Sequence, residues 1–507
     1  MTRANILFLQ VDQLGAQFLR CYGDGICHAP NLDRLAARGT VFETAYCNFP
    51  LCAPSRASMA TGRLCSEVGA YDNAAELPAS IPTYAHYLRA AGYQTALSGK
   101  MHFIGPDQHH GFETRLTPDL YPADFSWVPN WGDEGERDTN DPRSVTVAGI
   151  CERSKQIDFD DLVTFHAIQH LYDVARSEDE RPFFLQVSYT HPHEPYLCRK
   201  EFWDLYEGIE IPAPSVPALP ESEHDAHSVR LLNDFGMLNV RFSDADIATA
   251  RRAYYGSISY LDQMIGRVLD ALEATGKADD TVVIFTSDHG EMLGERGMWF
   301  KKHFFEPSLR VPLIIAGGAF TPQRAETPAS LVDLLPTFMG IVEGTGWSSA
   351  VERLDGTDLA SVLDSPNADR PVYAEYLAEA TNAPIFMVRQ GRYKYVHSTD
   401  DLPLMFDLLS DSDERINLAG TDGHTDAEAQ LRSLVQQRWD SDAIDRDIRL
   451  SQQRRQLVLA SAKQGTRPRW NHDEEPGSDV VWYRGETSYN EWAFQYLQIS
   501  EPERKGP

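Results

Sequence analysis

A chain of 507 residues that is 42% hydrophobic can bury a large core, and its length reads as one big domain plus a smaller one. Lys and Arg number 46 against 75 Asp and Glu, a formal charge of −29 that repels nucleic-acid phosphates and anionic membrane surfaces and excludes both as partners. Any anionic substrate needs a locally positive site.

The opening residues, MTRANILFLQVDQ, carry an apolar run broken by Gln10 and Asp12, too short for a secretory leader or a membrane span, so a cytoplasmic protein is expected. The 7 cysteines, Cys21, Cys27, Cys47, Cys52, Cys65, Cys151 and Cys198, are odd in number and lack C-x-x-C pairing, which fits reduced thiols. Four runs, ANILFLQVD, PFFLQVSY, DTVVIFTSD and RVPLIIAGG, are nearly continuous in apolar residues, as strands covered on both faces are. Between the second and third of these runs lies a helical pattern over residues 249–274, where Tyr254, Ile258, Leu261, Ile265, Leu269 and Leu272 recur at three- and four-residue spacing and Gly276 follows as a stop. Strand alternating with helix predicts an α/β fold with a large, mostly parallel central sheet flanked by helices.

Near residue 365 the turn-rich SPNADRP breaks the texture, and PVYAEYL, PIFMVRQ and YKYVHS follow as short strands before a charged helix around 426–458. The expected division is a catalytic α/β domain over 1–365, a smaller C-terminal α+β domain over 366–463 and an aromatic-rich tail over 464–507 that packs on this or a neighbouring subunit.

Asp12 ends the first strand, and Asp288 and His289 end another, in TSDHGEMLGERG. Ligands of open α/β sheets bind at the carboxyl ends of strands, so these groups can converge; hard oxygens with one imidazole suit Ca²⁺, Mg²⁺ or Mn²⁺ better than zinc. The alternative is that the aspartates cap turns. Cys52 stands between Pro50 and Pro54, and SRASMATG after it reads as the first turns of a helix, which makes an anion site at the helix start, within reach of Arg56. A Cys-His hydrolase would leave Asp12 and Asp288 unexplained.

The run Cys52-Ala53-Pro54-Ser55-Arg56, followed by Thr61-Gly62-Arg63, resembles the C-x-P-S-R signature of the type I sulfatases, whose cysteine a formylglycine-generating enzyme oxidises to Cα-formylglycine. Within that family YCNFPLCAPSR, GKMHFIGPDQHHGFE, LYPADFSWVPNW and THPHEPY look like the choline sulfatases. The resemblance implies an alkaline-phosphatase-superfamily fold and one divalent cation, commonly Ca²⁺, held by Asp12, the residue at 52, Asp288 and His289. A second aspartate common in the family is replaced by Gln13, which stays outside this set. It further implies that one hydroxyl of the aldehyde hydrate attacks sulfur while the other later loses a proton, so that the adduct collapses and expels sulfate. Lys100 steadies the hydrate and sulfate, His102 takes that proton, and His193 and Lys301 serve the leaving group. Lys301 rather than Lys302 fits the five-residue spacing to Glu306. Asn73 matches an amide on the transferring group.

For the alcohol, the resemblance points to choline O-sulfate: Trp127 would face a quaternary ammonium, and Glu379 or Glu375 would supply the charge. Two departures stand against simple transfer. The family's aromatic-His-Asn stretch reads Asp138-Thr139-Asn140-Asp141 here, and the tail that reaches a neighbouring site reads SYNEWAFQYLQ. Another small aliphatic or carbohydrate sulfate, or a phosphonate monoester or phosphodiester, is the alternative substrate; a small-molecule sulfate ester and other copies of the chain, as a dimer or tetramer, are the expected partners.

Overall fold

The computed structural model describes residues 3–131, 140–342, 350–466, 469–472, 481–485 and 488–499. Eight strands, β1 (Asn5–Val11), β2 (Thr40–Phe42), β3 (Gln94–Gly99), β4 (Thr114–Arg115), β5 (Phe183–Ser188), β6 (Thr281–Ser287), β7 (Leu313–Ala316) and β8 (Gln323–Ala325), form one sheet in the order β8-β2-β7-β6-β1-β5-β3-β4. The apolar runs are continuous because alternate residues enter different cores. Ile6 and Phe8 of β1 and Val282 and Ile284 of β6 pack on one face; Leu7, Leu9 and Val11, with Val283 and Phe285, pack on the other.

β1 pairs in parallel with both β6 and β5, and β3 and β4 continue the parallel half. The sheet is mostly parallel, as expected, with one exception: β7 runs antiparallel to both β6 and β2. The chain from Asp288 to Arg310 makes no helical crossover to the far end of the sheet, so the returning strand enters from the end at which β6 left.

Helix α1 (Cys52–Thr61) packs Ala57, Met59 and Ala60 in the first core, whereas α2 (Lys155–Arg176) and α3 (Asp244–Ala274) cover the second. The predicted helix over 249–274 is the C-terminal part of α3, which a Ser243 capping box starts five residues earlier.

A four-stranded antiparallel meander follows, β9 (Val372–Tyr376), β10 (Ile385–Gln390), β11 (Tyr393–Ser398) and β12 (Leu404–Asp407). Its Tyr376 and Phe386 share the first core with Phe8 and Met59, so the smaller unit is continuous in packing with the large one. The charged helix around 426–458 is in fact two, α4 (Thr425–Arg438) and α5 (Ser441–Ala462); extended Trp439 ends the first, and Asp440 caps the second through the Ala443 amide at 3.0 Å. Arg455 of α5 grips Asp72 with two bonds of 2.6 and 2.7 Å, tying this helix to the loop before Asn73.

The described part of the tail lies on its own chain. Tyr496–Leu497 pairs antiparallel with Arg153–Ser154, and Trp482 packs on Phe159 with ring centroids 5.5 Å apart. None of the seven cysteines is in a disulfide. Among the described residues no helix is long and apolar enough to cross a membrane.

Candidate active site

Val11 and Ser287 are register partners, so Asp12 and Asp288 leave adjacent parallel strands side by side. The Gln13 amide locks the two loops together by donating to Asp288 Oδ1 at 3.1 Å. Cys52 is the first residue of α1, and all ten residues of that helix are buried. Cys52 Sγ lies 3.2 Å from His289 Nε2 and 3.7 Å from Asp12 Oδ1. The ligand atoms that Asp12, Cys52, Asp288 and His289 offer all fall within 4.8 Å of one another.

This donor set fits a divalent cation. His289 gives Nδ1–H to the Gly290 carbonyl at 3.0 Å, which leaves the Nε2 lone pair aimed at the cluster, and burial pushes its pKa down and keeps the ring neutral. With an oxygen rather than sulfur at position 52, the set becomes three oxygens and one nitrogen, a hard combination.

The outer oxygens of both carboxylates are taken by cations. Arg56 Nε donates to Asp288 Oδ2 at 2.8 Å, its Nη2 to Asp12 Oδ2 at 3.0 Å, and its Nη1 to the Lys100 carbonyl at 2.6 Å and Ser188 Oγ at 2.8 Å. The Lys100 ammonium bonds the same Asp12 Oδ2. Burial opposes ionisation of Asp12, but Lys100, His193 and Arg56 together hold its carboxyl well below the usual range. The sequence reading of Arg56 as a group reaching back to the bound anion is therefore corrected: its donors are spent on the two aspartates, the Lys100 carbonyl and Ser188, and it orients them.

Lys100 and His102 meet on one ring. The Lys100 ammonium sits 4.3 Å from the Tyr121 centroid, and the His102 ring is 5.2 Å from it. They do so although His102 is not extended but left-handed, at φ 54°. Asp119 Oδ2 accepts the backbone amides of Met101 and His102, both at 2.9 Å, and so fixes the bend. Neither His102 ring nitrogen has a partner among the described residues, and burial, then the Lys100 charge, lowers this histidine to about 3.

His193 and Lys301 form the other side. His193 Nδ1 lies 2.8 Å from the Glu194 carbonyl, so Nε2 is left to accept from Lys301 Nζ, also at 2.8 Å. Lys301 also bonds Gln13 Oε1, which turns the Gln13 side chain away from the aspartates, in keeping with its exclusion from the ligand set. Burial disfavours the Lys301 ammonium, but Glu194 and the other nearby anions raise its pKa above the ordinary lysine value.

Above these groups opens a cavity of about 380 Å³ lined by Cys52, Asn73, Tyr121, Trp127, His193, Lys301 and Glu379, and also by Asn140, Lys302, Tyr483 and Tyr489. Asn73 Oδ1 caps the Ala53 amide at 3.0 Å. Trp127 stacks on Tyr483 at 5.4 Å and 18°, Tyr489 stands perpendicular to Tyr483 at 5.4 Å, and the Tyr489 and Tyr121 hydroxyls lie 3.2 Å apart. Lys302 Nζ lies 2.8 Å from Glu379 and 3.7 Å from Asp234, two carboxylates about one ammonium.

Glu375 is not in this cavity, and its reading as a charge for the substrate is corrected. It lies within β9, fully buried, where its carboxylate accepts the Ser66 amide at 2.9 Å and Trp439 Nε1 at 2.6 Å. Glu379, past the end of the strand, reaches the cavity instead. Tyr121, Glu194, Lys302, Tyr483 and Tyr489 were not singled out for the site in the sequence, although the density of aromatics in the tail was a signal for the last two. Of the divergent loop, Asp138 and Thr139 lie outside the described residues.

The family model described as Sulfatase matches residues 4–345. The choline-sulfatase of Rhizobium meliloti (strain 1021) is 45% identical over 479 residues, 93% of each chain. The iduronate 2-sulfatase of Mus musculus is 34% identical over 359 residues, 66% of this chain and 62% of that one. Among solved structures, the phosphonate monoester hydrolase of Agrobacterium radiobacter superposes with a TM-score of 0.70 at 24% identity, covering 86% of this chain and 95% of that one, which is a likeness of fold.

Proposed function

The chain belongs to the sulfatase family and is a sulfuric ester hydrolase, and we propose that its substrate is choline O-sulfate, cleaved to choline and sulfate. The observation that carries this reading is the aromatic wall of Trp127, Tyr483 and Tyr489 beside the Glu379–Lys302–Asp234 cluster. Aromatic faces with the Glu379 carboxylate at the same cavity suit a quaternary ammonium. The likeness to choline-sulfatase over 93% of the chain agrees with it.

Two groups complete the site in this reading: a divalent cation, Ca²⁺ first and Mg²⁺ or Mn²⁺ as alternatives, held by Asp12, Asp288, His289 and residue 52, and the Cα-formylglycine made from Cys52. When bound, they supply a positive centre for the sulfuryl oxygens and a geminal-diol nucleophile. The protein's own side chains do the rest. Arg56 and Lys100 hold Asp12 ionised, Arg56 orients both Asp12 and Asp288, and Asn73 caps the amide beside residue 52. His102, held neutral by burial, accepts a proton at a ring nitrogen that has no partner among the described residues. Lys301 and His193 hold a proton where the alcohol oxygen leaves. Tyr121, Tyr483 and Tyr489 line the cavity above these groups.

The test is sulfate release from choline O-sulfate against a panel of other alkyl sulfates, sugar sulfates and a phosphonate monoester, with Cys52 conversion verified by mass. Preference for the choline ester is expected. A higher kcat/KM on another alcohol's ester would overturn the choice of alcohol, and a higher value on the phosphonate would overturn the choice of sulfuryl transfer as the main reaction.

A further inference from the structure

Resting on the reading of Lys301 and His193 as the leaving-group side, the geometry points to Glu194 as the positioning residue that holds this acid in place and ties it to the wall of the alcohol pocket. Glu194 is 1% exposed and follows β5 in the loop that also carries His193. It does not line the cavity and touches no substrate; it acts on groups that do.

Its two oxygens divide the work. Oε2 accepts Gln13 Nε2 at 2.6 Å and faces Lys301 Nζ at 3.6 Å and His193 Nδ1 at 3.3 Å. Oε1 accepts the side-chain amide of Asn140, which lines the cavity. The backbone of the same residue is engaged as well: its carbonyl accepts His193 Nδ1–H at 2.8 Å and Gln156 Nε2 at 2.6 Å. One residue thus sets the His193 tautomer, the charge beside Lys301 and the position of a pocket amide.

The tautomer decides which group carries the proton. With Nδ1–H given to the Glu194 carbonyl, His193 Nε2 accepts from Lys301, so the transferable proton rests on the ammonium. A buried ammonium keeps its proton only beside a counter-charge. Glu194 is the carboxylate within 4 Å of Lys301 Nζ among the described residues. As the sulfur–oxygen bond to the alcohol breaks, the sulfuryl group would pass to the nucleophile that converted residue 52 supplies, the electron pair of the broken bond goes to the alcohol oxygen, and that oxygen takes a proton from the Lys301–His193 pair. Glu194 keeps its charge throughout and neither gives nor takes a proton. Asn140 joins the alcohol pocket to this pair, so a bound alcohol that orders Asn140 also orders Glu194.

A leaving-group series tests this apart from the identity of the alcohol. Glu194→Gln, as the metal-loaded enzyme with verified Cys52 conversion, is assayed on aryl sulfates from 4-nitrophenyl to unsubstituted phenyl, and on choline O-sulfate. A 4-nitrophenolate departs without help, whereas a basic oxygen needs the acid, whose contribution is roughly 10²–10⁴-fold. The expected result is a loss of about 3-fold or less on 4-nitrophenyl sulfate and of about 100-fold or more on the poorest leaving group, a steeper dependence on leaving-group basicity. An equal loss on all esters, or none, overturns the assignment. Lys301→Ala is the control: if it does not steepen the series, the reading of the leaving-group side fails, and the assignment of Glu194 to it falls with it. Should Glu194→Gln not fold, Glu194→Asp carries the test with the same two outcomes, a loss confined to poor leaving groups or a uniform one.

Discussion

Replacing Arg56 with lysine separates two roles that a cation beside two carboxylates can have. The guanidinium spans Asp288 Oδ2 at 2.8 Å and Asp12 Oδ2 at 3.0 Å, with no exposure to solvent. Each is a hydrogen bond between charged groups, of about 1.5–3 kcal/mol. A lysine ammonium reaches one of the two, so Arg56→Lys forfeits about 1.5–3 kcal/mol of carboxylate orientation. At about 1.4 kcal/mol per decade this is roughly 10–100-fold in cation affinity, the range found when the partner of a metal ligand is removed. Calcium titration by calorimetry reads it directly, and kcat/KM at saturating Ca²⁺ reads what remains. Because Arg56 lies in the signature that the modifying enzyme recognises, aldehyde content is measured by mass and rates are divided by it. Calcium affinity within about 3-fold of wild type, with activity lost, would refute the argument and return Arg56 to the substrate.

The other expectations are independent of that one. Trp127→Ala or Tyr483→Ala should raise KM for choline O-sulfate by about 5–30-fold, from a cation–π contribution of about 1–2 kcal/mol, and leave turnover of 4-nitrophenyl sulfate unchanged; an unchanged KM in both would remove the cage. Glu379→Gln should raise the same KM, while Glu375→Gln should leave it alone and lower the urea midpoint by the equivalent of about 1–3 kcal/mol, since its carboxylate serves Ser66 and Trp439. Arg455→Met strands Asp72 in the interior at a cost of about 3–5 kcal/mol, which the double variant with Asp72→Asn should largely recover in urea melts. Chelation should abolish sulfate release, and added Ca²⁺ should restore it.

Residues whose place depends on local chain direction were readable without the fold. Asp12 and Asp288 end apolar runs, and neighbouring parallel strands deliver such ends to one place. Cys52 opens a helix because Leu51 is extended and the residues after it are helix formers and small side chains. The reversed β7 was not readable, since an apolar run carries no arrow; direction came from a connection that makes no crossover. The meeting of Lys100 and His102 was not readable either, since it depends on Asp119 bending the chain between them.

The remaining errors and omissions share a cause, and it bears on how such sites are built. Arg56 and Glu375 have the right charge near the right motif, yet each is claimed by partners far along the chain, Asp288 for the one and Trp439 for the other. A fully buried polar or charged group must be satisfied where it lies, so its function is set by the neighbours it meets and not by the motif that carries it. Glu194 is the converse. Next to a histidine the motif singled out, it looks like a turn residue, and only the arrival of Gln13, Asn140 and Lys301 from three other segments makes it a hub. The groups expected to meet the substrate are therefore the ones the sequence shows, because their chemistry demands particular residue types. The groups that hold them are drawn from whatever the packing brings within hydrogen-bond reach, and their identity is legible only after folding.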